Sequence, residues 1–446
     1  MCLKFGNHVE QYTIIMILLS ISVGLVAISP KTKIPYPIFL LVGGIIVGLI
    51  PGFQRISIDS EIVLLIFLPP LLYDAATNIS FKKFKENLNV ISFLSISLVF
   101  ATMFGIAIFV YMCIPQMSWP LAFLLGAILS PPDAVAALGI TGDLGLSRRL
   151  KTIIEGEGLI NDASALIACR FALAAVAGVP FVFWEAYIAF FFVLGGGIIV
   201  GAGLWYVFRI IAQKLDSNNR AMISLNLLLP FIAFLIGEGL EVSGILAVST
   251  VGLLMSKNSD QIWGNHKRIM ADSKILWASL TSMLNGLVFI LLGIEFPHVI
   301  KQIPGNLLLW LTFCSFLIFA VALAVRAVVL SVYKINLDRS YPRFKKGETY
   351  FEKFGRIKLS LDPLSWKDLI VISCSGMRGI VSLAIALAIP VTLADGRLFP
   401  ERDMIIFLTI TVVILMLIIQ GLGLYPLLRF LKLDYEAEHD QTTPEQ

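Results

Sequence analysis

The chain has 446 residues, 58% of them hydrophobic and 14% charged, with a mean hydropathy of +0.88 and a net charge of +4. A water-soluble domain carries about a quarter charged residues, so this shortfall excludes a soluble globular protein and sets most of the surface against lipid. The charge identifies no partner by itself, and no nucleic-acid partner is expected.

A helix needs roughly 20 mostly apolar residues to cross a bilayer. In chain order the candidates are 12–29, 36–50, 61–77, 88–114, 121–141, 150–178, 182–212, 221–240, 242–256, 275–296, 306–334, 367–393 and 403–431. The runs 36–50 and 242–256 are short and Gly-rich, so the count is twelve or thirteen. Run 12–29 is read as a span, not a signal peptide, because one lysine precedes it and a similar span follows at once. The expected fold class is an all-α integral membrane protein of about 13 transmembrane helices.

Loop charge tests the alternation. Of 34 Lys and Arg, 26 fall near alternate span ends and only Lys4, Arg55, Lys301, Arg397 and Arg402 on the other side. The positive-inside bias then puts the N-terminus outside and the C-terminus in the cytoplasm. The polar linker 335–366 interleaves basic residues with Tyr341, Tyr350, Phe351 and Phe354. It reads as a cytoplasmic loop that serves topology, or as one that docks on anionic lipid. Residues 432–446 read as a short acidic cytoplasmic tail. The five cysteines are odd in number and imply no disulfide framework. All four histidines lie outside the apolar runs or at their edges, which leaves intramembrane proton chemistry to carboxylates.

Ionisable groups inside spans are costly and mark function by default. Here they are Asp74, Asp133, Glu155, Glu157, Asp162, Arg170, Glu295, Arg326 and Arg378; Glu61, Asp143, Glu238 and Glu241 read as interfacial. In Ser130-Pro131-Pro132-Asp133 two prolines remove backbone donors and free carbonyls one turn earlier. Such freed groups survive in a membrane only where they line protein or a water cavity. Ser130 and Asp133 flank the break, so a carboxylate lies beside open carbonyl oxygens, as in ion sites on discontinuous helices. The simpler reading is a kink with Asp133 as N-cap of the second half-helix.

In Glu155-Gly-Glu157-Gly-Leu-Ile-Asn161-Asp162-Ala-Ser164, Glu157 and Asn161 share one helix face, and Glu155 and Asp162 share another. Small neighbours, Ala163, Ser164 and Ala165, admit close helix approach or a hydrated ion at Asp162. In Ser373-Cys-Ser375-Gly376-Met-Arg378-Gly379-Ile-Val-Ser382, two glycines and three serines around one arginine signal a second interruption. The two breaks sit seven spans apart, as an internal duplication would place them. Glu157 is the expected structural ion-pair partner of Arg378, leaving Asp162 free to titrate. Asp74, after Pro69-Pro70, reads either as a vestibule residue or as a ligand. Arg326 and Arg170 have Glu155 or Glu295 as candidate partners.

Phe67–Ala76, Ser130–Ala137, Glu155–Ala163, Ser243–Leu253 and Gly376–Ala386 resemble, in order and spacing, the sodium/proton exchanger family of the monovalent cation–proton antiporter superfamily. Its branches include the prokaryotic NhaP proteins and the animal Na+/H+ exchangers. The resemblance implies a bacterial-type member in the cell (inner) membrane, with an NhaA-like inverted repeat and two crossing discontinuous helices. It implies a homodimer, with an ion-translocating core of spans 88–178 and 306–431 moving against dimerisation spans 12–77 and 182–296. It implies Asp162 as ion and proton carrier, Asp133 as second acid, and Asn161 as mark of the electroneutral branch. The transported ions would be H+ and Na+, or Li+ or K+; no cofactor is implied. Two departures bear on selectivity. Relatives commonly have Thr where this chain has Pro132, and Ser where it has Gly158. Oxygens must then come from backbone near Ser130, from Ser164 or from water.

One carboxylate that holds either a proton or a cation gives exchange without net charge movement, because burial favours the protonated acid and a bound cation the ionised one. K+/H+ exchange is the main competing reading. A passive channel finds no filter-like segment, and an intramembrane aspartyl protease finds no Gly-x-Gly-Asp string.

Overall fold

The computed structural model describes residues 16, 20–25, 36–50, 60–134, 137–138, 146–214, 219–258, 267–345, 364–393 and 396–431. The chain ends, Arg55, Asp143, most of the 335–366 linker and the 432–446 tail lie outside them, with the expectations made for them. Among the described residues the only extended pairing is an isolated bridge between Thr392 and Leu398; everything else regular is helix.

The helices are α1 (Tyr36–Gly48), α2 (Ser60–Asn78), α3 (Phe81–Glu86), α4 (Leu88–Cys113), α5 (Trp119–Leu129), α6 (Arg148–Val176), α7 (Phe183–Lys214), α8 (Asn219–Gly239), α9 (Gly244–Lys257), α10 (Lys267–Gln302), α11 (Gly305–Lys345), α12 (Trp366–Cys374), α13 (Ile380–Leu387) and α14 (Arg402–Phe430). Residues 20–25 are helical as well. Seven described helices are long and apolar enough to cross a bilayer: α4, α6, α7, α8, α10, α11 and α14. α1, α5 and α9 are shorter apolar helices. Every expected span holds helix, and two are interrupted where Pro-Pro and Gly/Ser strings predicted it. Boundaries differ most at two helices: α10 spans Lys267–Gln302, beyond both ends of the expected 275–296, and α11 runs on to Lys345, into the stretch read as linker. Lys334 pairs with Asp338 one turn on at 3.0 Å and lies over the Trp366 ring, support the hydropathy pattern does not register.

Two packing groups emerge. α4, α5, α6, α11, α12 and α14 pack mainly on one another, as do α1, α2, α7, α8, α9 and α10. α6 and α13 touch members of the second group, and α10 reaches α13 and α14. α1 and α10 meet backbone to backbone: a β-carbon on Gly44 or Gly293 would strike main-chain atoms of the facing helix. Within α4, Phe93–Leu98 widens to a π-helix, and Ser95 there donates its hydroxyl to the Glu157 carbonyl at 3.2 Å.

Candidate functional site

α5 ends at Leu129 because Pro131 and Pro132 bring no N–H. The orphaned groups are satisfied across the molecule. Ser130 donates its hydroxyl to Ala127 O at 3.0 Å, and Asn161 donates its amide to Pro132 O at 3.1 Å. Arg378 Nε donates to Leu129 O at 2.6 Å, and the Asp133 N–H donates to Met377 O at 2.5 Å. The second break, 375–379, lies between α12 and α13. There Ser375 Oγ and Arg326 Nε both donate to Ile372 O, at 3.0 and 3.1 Å. Asp133 also accepts from one turn on, as its carbonyl takes the Ala137 N–H at 3.2 Å.

The expected Glu157–Arg378 pair is not what forms. Glu157 is held by Arg326, with Nη1 and Nη2 at 2.7 and 2.8 Å from its two oxygens, and both side chains are buried. Arg326 enters because Gly376 has no side chain: a β-carbon there would meet its guanidinium. Arg378, 2% exposed, spends its donors on the carbonyls of Leu129 and Gly376. Nor does Arg170 pair with Glu155 or Glu295; it joins Glu238, a residue read as interfacial.

The breaks, α2, α6 and α10 enclose a cavity of about 320 Å³. Asp74, Asp133, Glu155 and Asp162 line it, with Lys151 the one lining cation among the described residues. Glu155 and Asp162 face it together, and Glu157 points away toward Arg326, the division that helical spacing predicted. Pro132 and Gly158 are also on the wall. Ser130, Asn161 and Ser164 are not; Ser164 turns its hydroxyl to Ile160 O at 3.3 Å. Asp74 accepts from Thr281 and Asn78, each at 3.2 Å. Lys151 lies 3.9 Å from Glu155.

Among the uncharged polar wall residues, Asn78 on α2 and Thr281 and Asn285 on α10 were not singled out from sequence, and Ser382 on α13 was read only as part of the second interruption. Thr281 and Asn285 are i,i+4 within an apolar run, a polar pair on one helix face. Uncharged, they escape a search for ionisable groups.

A polytopic helical membrane protein with two joined helix breaks beside a carboxylate-lined cavity is a transporter of cations. The family model described as sodium/hydrogen exchanger, transmembrane, matches residues 17–430, and the chain belongs to that family, whose members are secondary cation/proton antiporters and not enzymes. It is 32% identical over 433 residues to an uncharacterized Na(+)/H(+) exchanger of Mycobacterium tuberculosis, covering 96% of this chain and 75% of that one. It is 33% identical over 399 residues to the sodium, potassium, lithium and rubidium/H(+) antiporter of Bacillus pumilus, covering 89% of this chain and 58% of that one. Its fold is similar to that of the sodium proton antiporter MjNhaP1 from Methanocaldococcus jannaschii at pH 8, with a TM-score of 0.71, 18% identity, and 94% and 98% of the two chains covered.

Proposed function

We propose that this chain exchanges Na+ for H+ across the cell membrane by alternating access, with Asp162 holding each ion in turn. The observation that carries the reading is the placing of Asp162, 7% exposed, and Asp133 on one cavity wall beside the two joined breaks. Hard cations take oxygen ligands, and among the described residues four carboxylates line the cavity. Competition of proton and cation for one acid makes the exchange electroneutral.

The remaining parts of the reading follow the two packing groups. α4–α6 and α11–α14 form the moving core, an inverted repeat whose broken helices cross at the site. The other group forms the stationary part and the homodimer contact. The excess of basic residues at alternate span ends supports an outside N-terminus and a cytoplasmic C-terminus. K+/H+ exchange is the second reading, favoured by the name of the Bacillus pumilus relative, which includes potassium, lithium and rubidium.

The test is reconstitution in proteoliposomes with a trapped pH dye, titrated with Na+, Li+ and K+. Saturable, Na+-driven proton movement that needs Asp162 supports the proposal. Flux linear in cation, or exchange retained in Asp162→Asn, ends it.

A further inference from the structure

The cavity contains polar atoms that the fold leaves without work. Asn285 Oδ1 and Ser382 Oγ are buried and have no hydrogen-bond partner among the described residues. Their residues are 6% and 1% exposed, and both line the cavity that holds Asp162 and Asp133. An unpaired buried oxygen costs about 1–3 kcal/mol, so a fold retains such atoms where something else meets them. Asn285 lies on α10 and Ser382 on α13, two helices that pack against each other, on the wall that also carries the acids.

Two wall residues beside the acids, Pro132 and Gly158, carry no hydroxyl. Gly158 is fixed by its surroundings: a β-carbon there would meet the Ala134 methyl at 2.7 Å. Ser130 and Ser164 spend their hydroxyls on helix carbonyls. A monovalent cation held by carboxylates still needs neutral oxygens to replace its hydration shell, and their number and reach decide which ion fits.

We propose that Asn285 and Ser382 are ligands of the transported cation and set its selectivity. This rests on the exchange reading above and adds the side chains that tell one alkali ion from another. The packing of α13 against α10 places both residues on the one cavity.

The experiment uses the full chain in proteoliposomes and measures apparent KM for Na+, Li+ and K+ in Asn285→Leu, Ser382→Ala and Ser382→Thr. Loss of one neutral contact is expected to raise the KM for the preferred ion about fivefold, the scale of a lost hydrogen-bond-sized interaction. It should also change the ratio of KM values between ions, with maximal rate held and with Ser382→Thr near wild type. A structural role would lower folded yield or melting temperature and leave the ratio alone. Folded variants with wild-type ratios overturn the proposal. Where Asn285→Leu does not fold, Asn285→Ser is measured in its place, and the same ratio decides. A wild-type protein that moves no protons in response to any cation would instead sink the exchange reading.

Discussion

The backbone amide of Asp133 donates to the carbonyl of Met377 over 2.5 Å, where a continuous helix would have sent it to Leu129. The Leu129 carbonyl, deprived of that donor, takes Arg378 Nε at 2.6 Å. Two residues of one break thus complete the hydrogen bonding of the other. Neither half-helix can shift alone without exposing a buried polar group, so the pair moves as a unit.

Arg378→Ala should therefore act on the fold. It leaves the Leu129 carbonyl unpaired at a cost of about 1–3 kcal/mol, and a single amine in Arg378→Lys restores only part of it. Thermal unfolding in detergent reads the loss. A stable Arg378→Ala protein with only its cation KM altered would contradict this.

The Glu157–Arg326 pair makes a stronger prediction. Removing one partner of a buried, bidentate ion pair costs about 3–5 kcal/mol. Arg326→Ala and Glu157→Ala should each fall in folded yield, and the double variant should fall by less than the sum. Additive losses would show that the two side chains do not act together.

Asp162→Asn should fold and bind lipid as the parent does, yet show no cation-driven proton movement. Matching melting curves alongside dye measurements separate a lost carrier from a lost fold.

Competition between proton and cation fixes the sign of the pH response. As pH falls, protons occupy the carboxylate, and the apparent KM for Na+ rises. As pH increases, the KM declines to a plateau. A KM flat across the acid range, with rate alone varying, would place the titrating group elsewhere.

Gly158→Ser adds a hydroxyl to the cavity wall, but into contact with Ala134. The single variant should lose activity and stability, and Ala134→Gly with Gly158→Ser should recover both. Full activity in the single variant would show that the wall yields at this point.

Much of the site was legible in the chain. Pro131-Pro132 and the Gly/Ser string around Arg378 announced both interruptions, because missing donors and missing side chains are local properties. The opposed faces of Glu157 and Asp162 followed from helical spacing alone. What spacing could not give was the choice between Arg326 and Arg378 for Glu157. That choice depends on the space above Gly376, a long-range contact with no local trace. Arg170 found Glu238 for the same reason: one residue sits on α6, its partner on α8. Thr281 and Asn285 stayed hidden, and Ser382 was read only as part of a break, because an uncharged polar side chain in an apolar run is common and usually bonds to its own helix.

The glycine seam between α1 and α10 has a remote effect. α10 carries Thr281 and Asn285 at the cavity and Gly293 two turns further along. A methyl group added at Gly44, on a helix that carries no acid, would wedge the two rods apart and tilt the bar on which those oxygens ride. If Asn285 ligates the ion as proposed, a change at that joint should alter ion preference although neither Gly44 nor Gly293 lines the cavity.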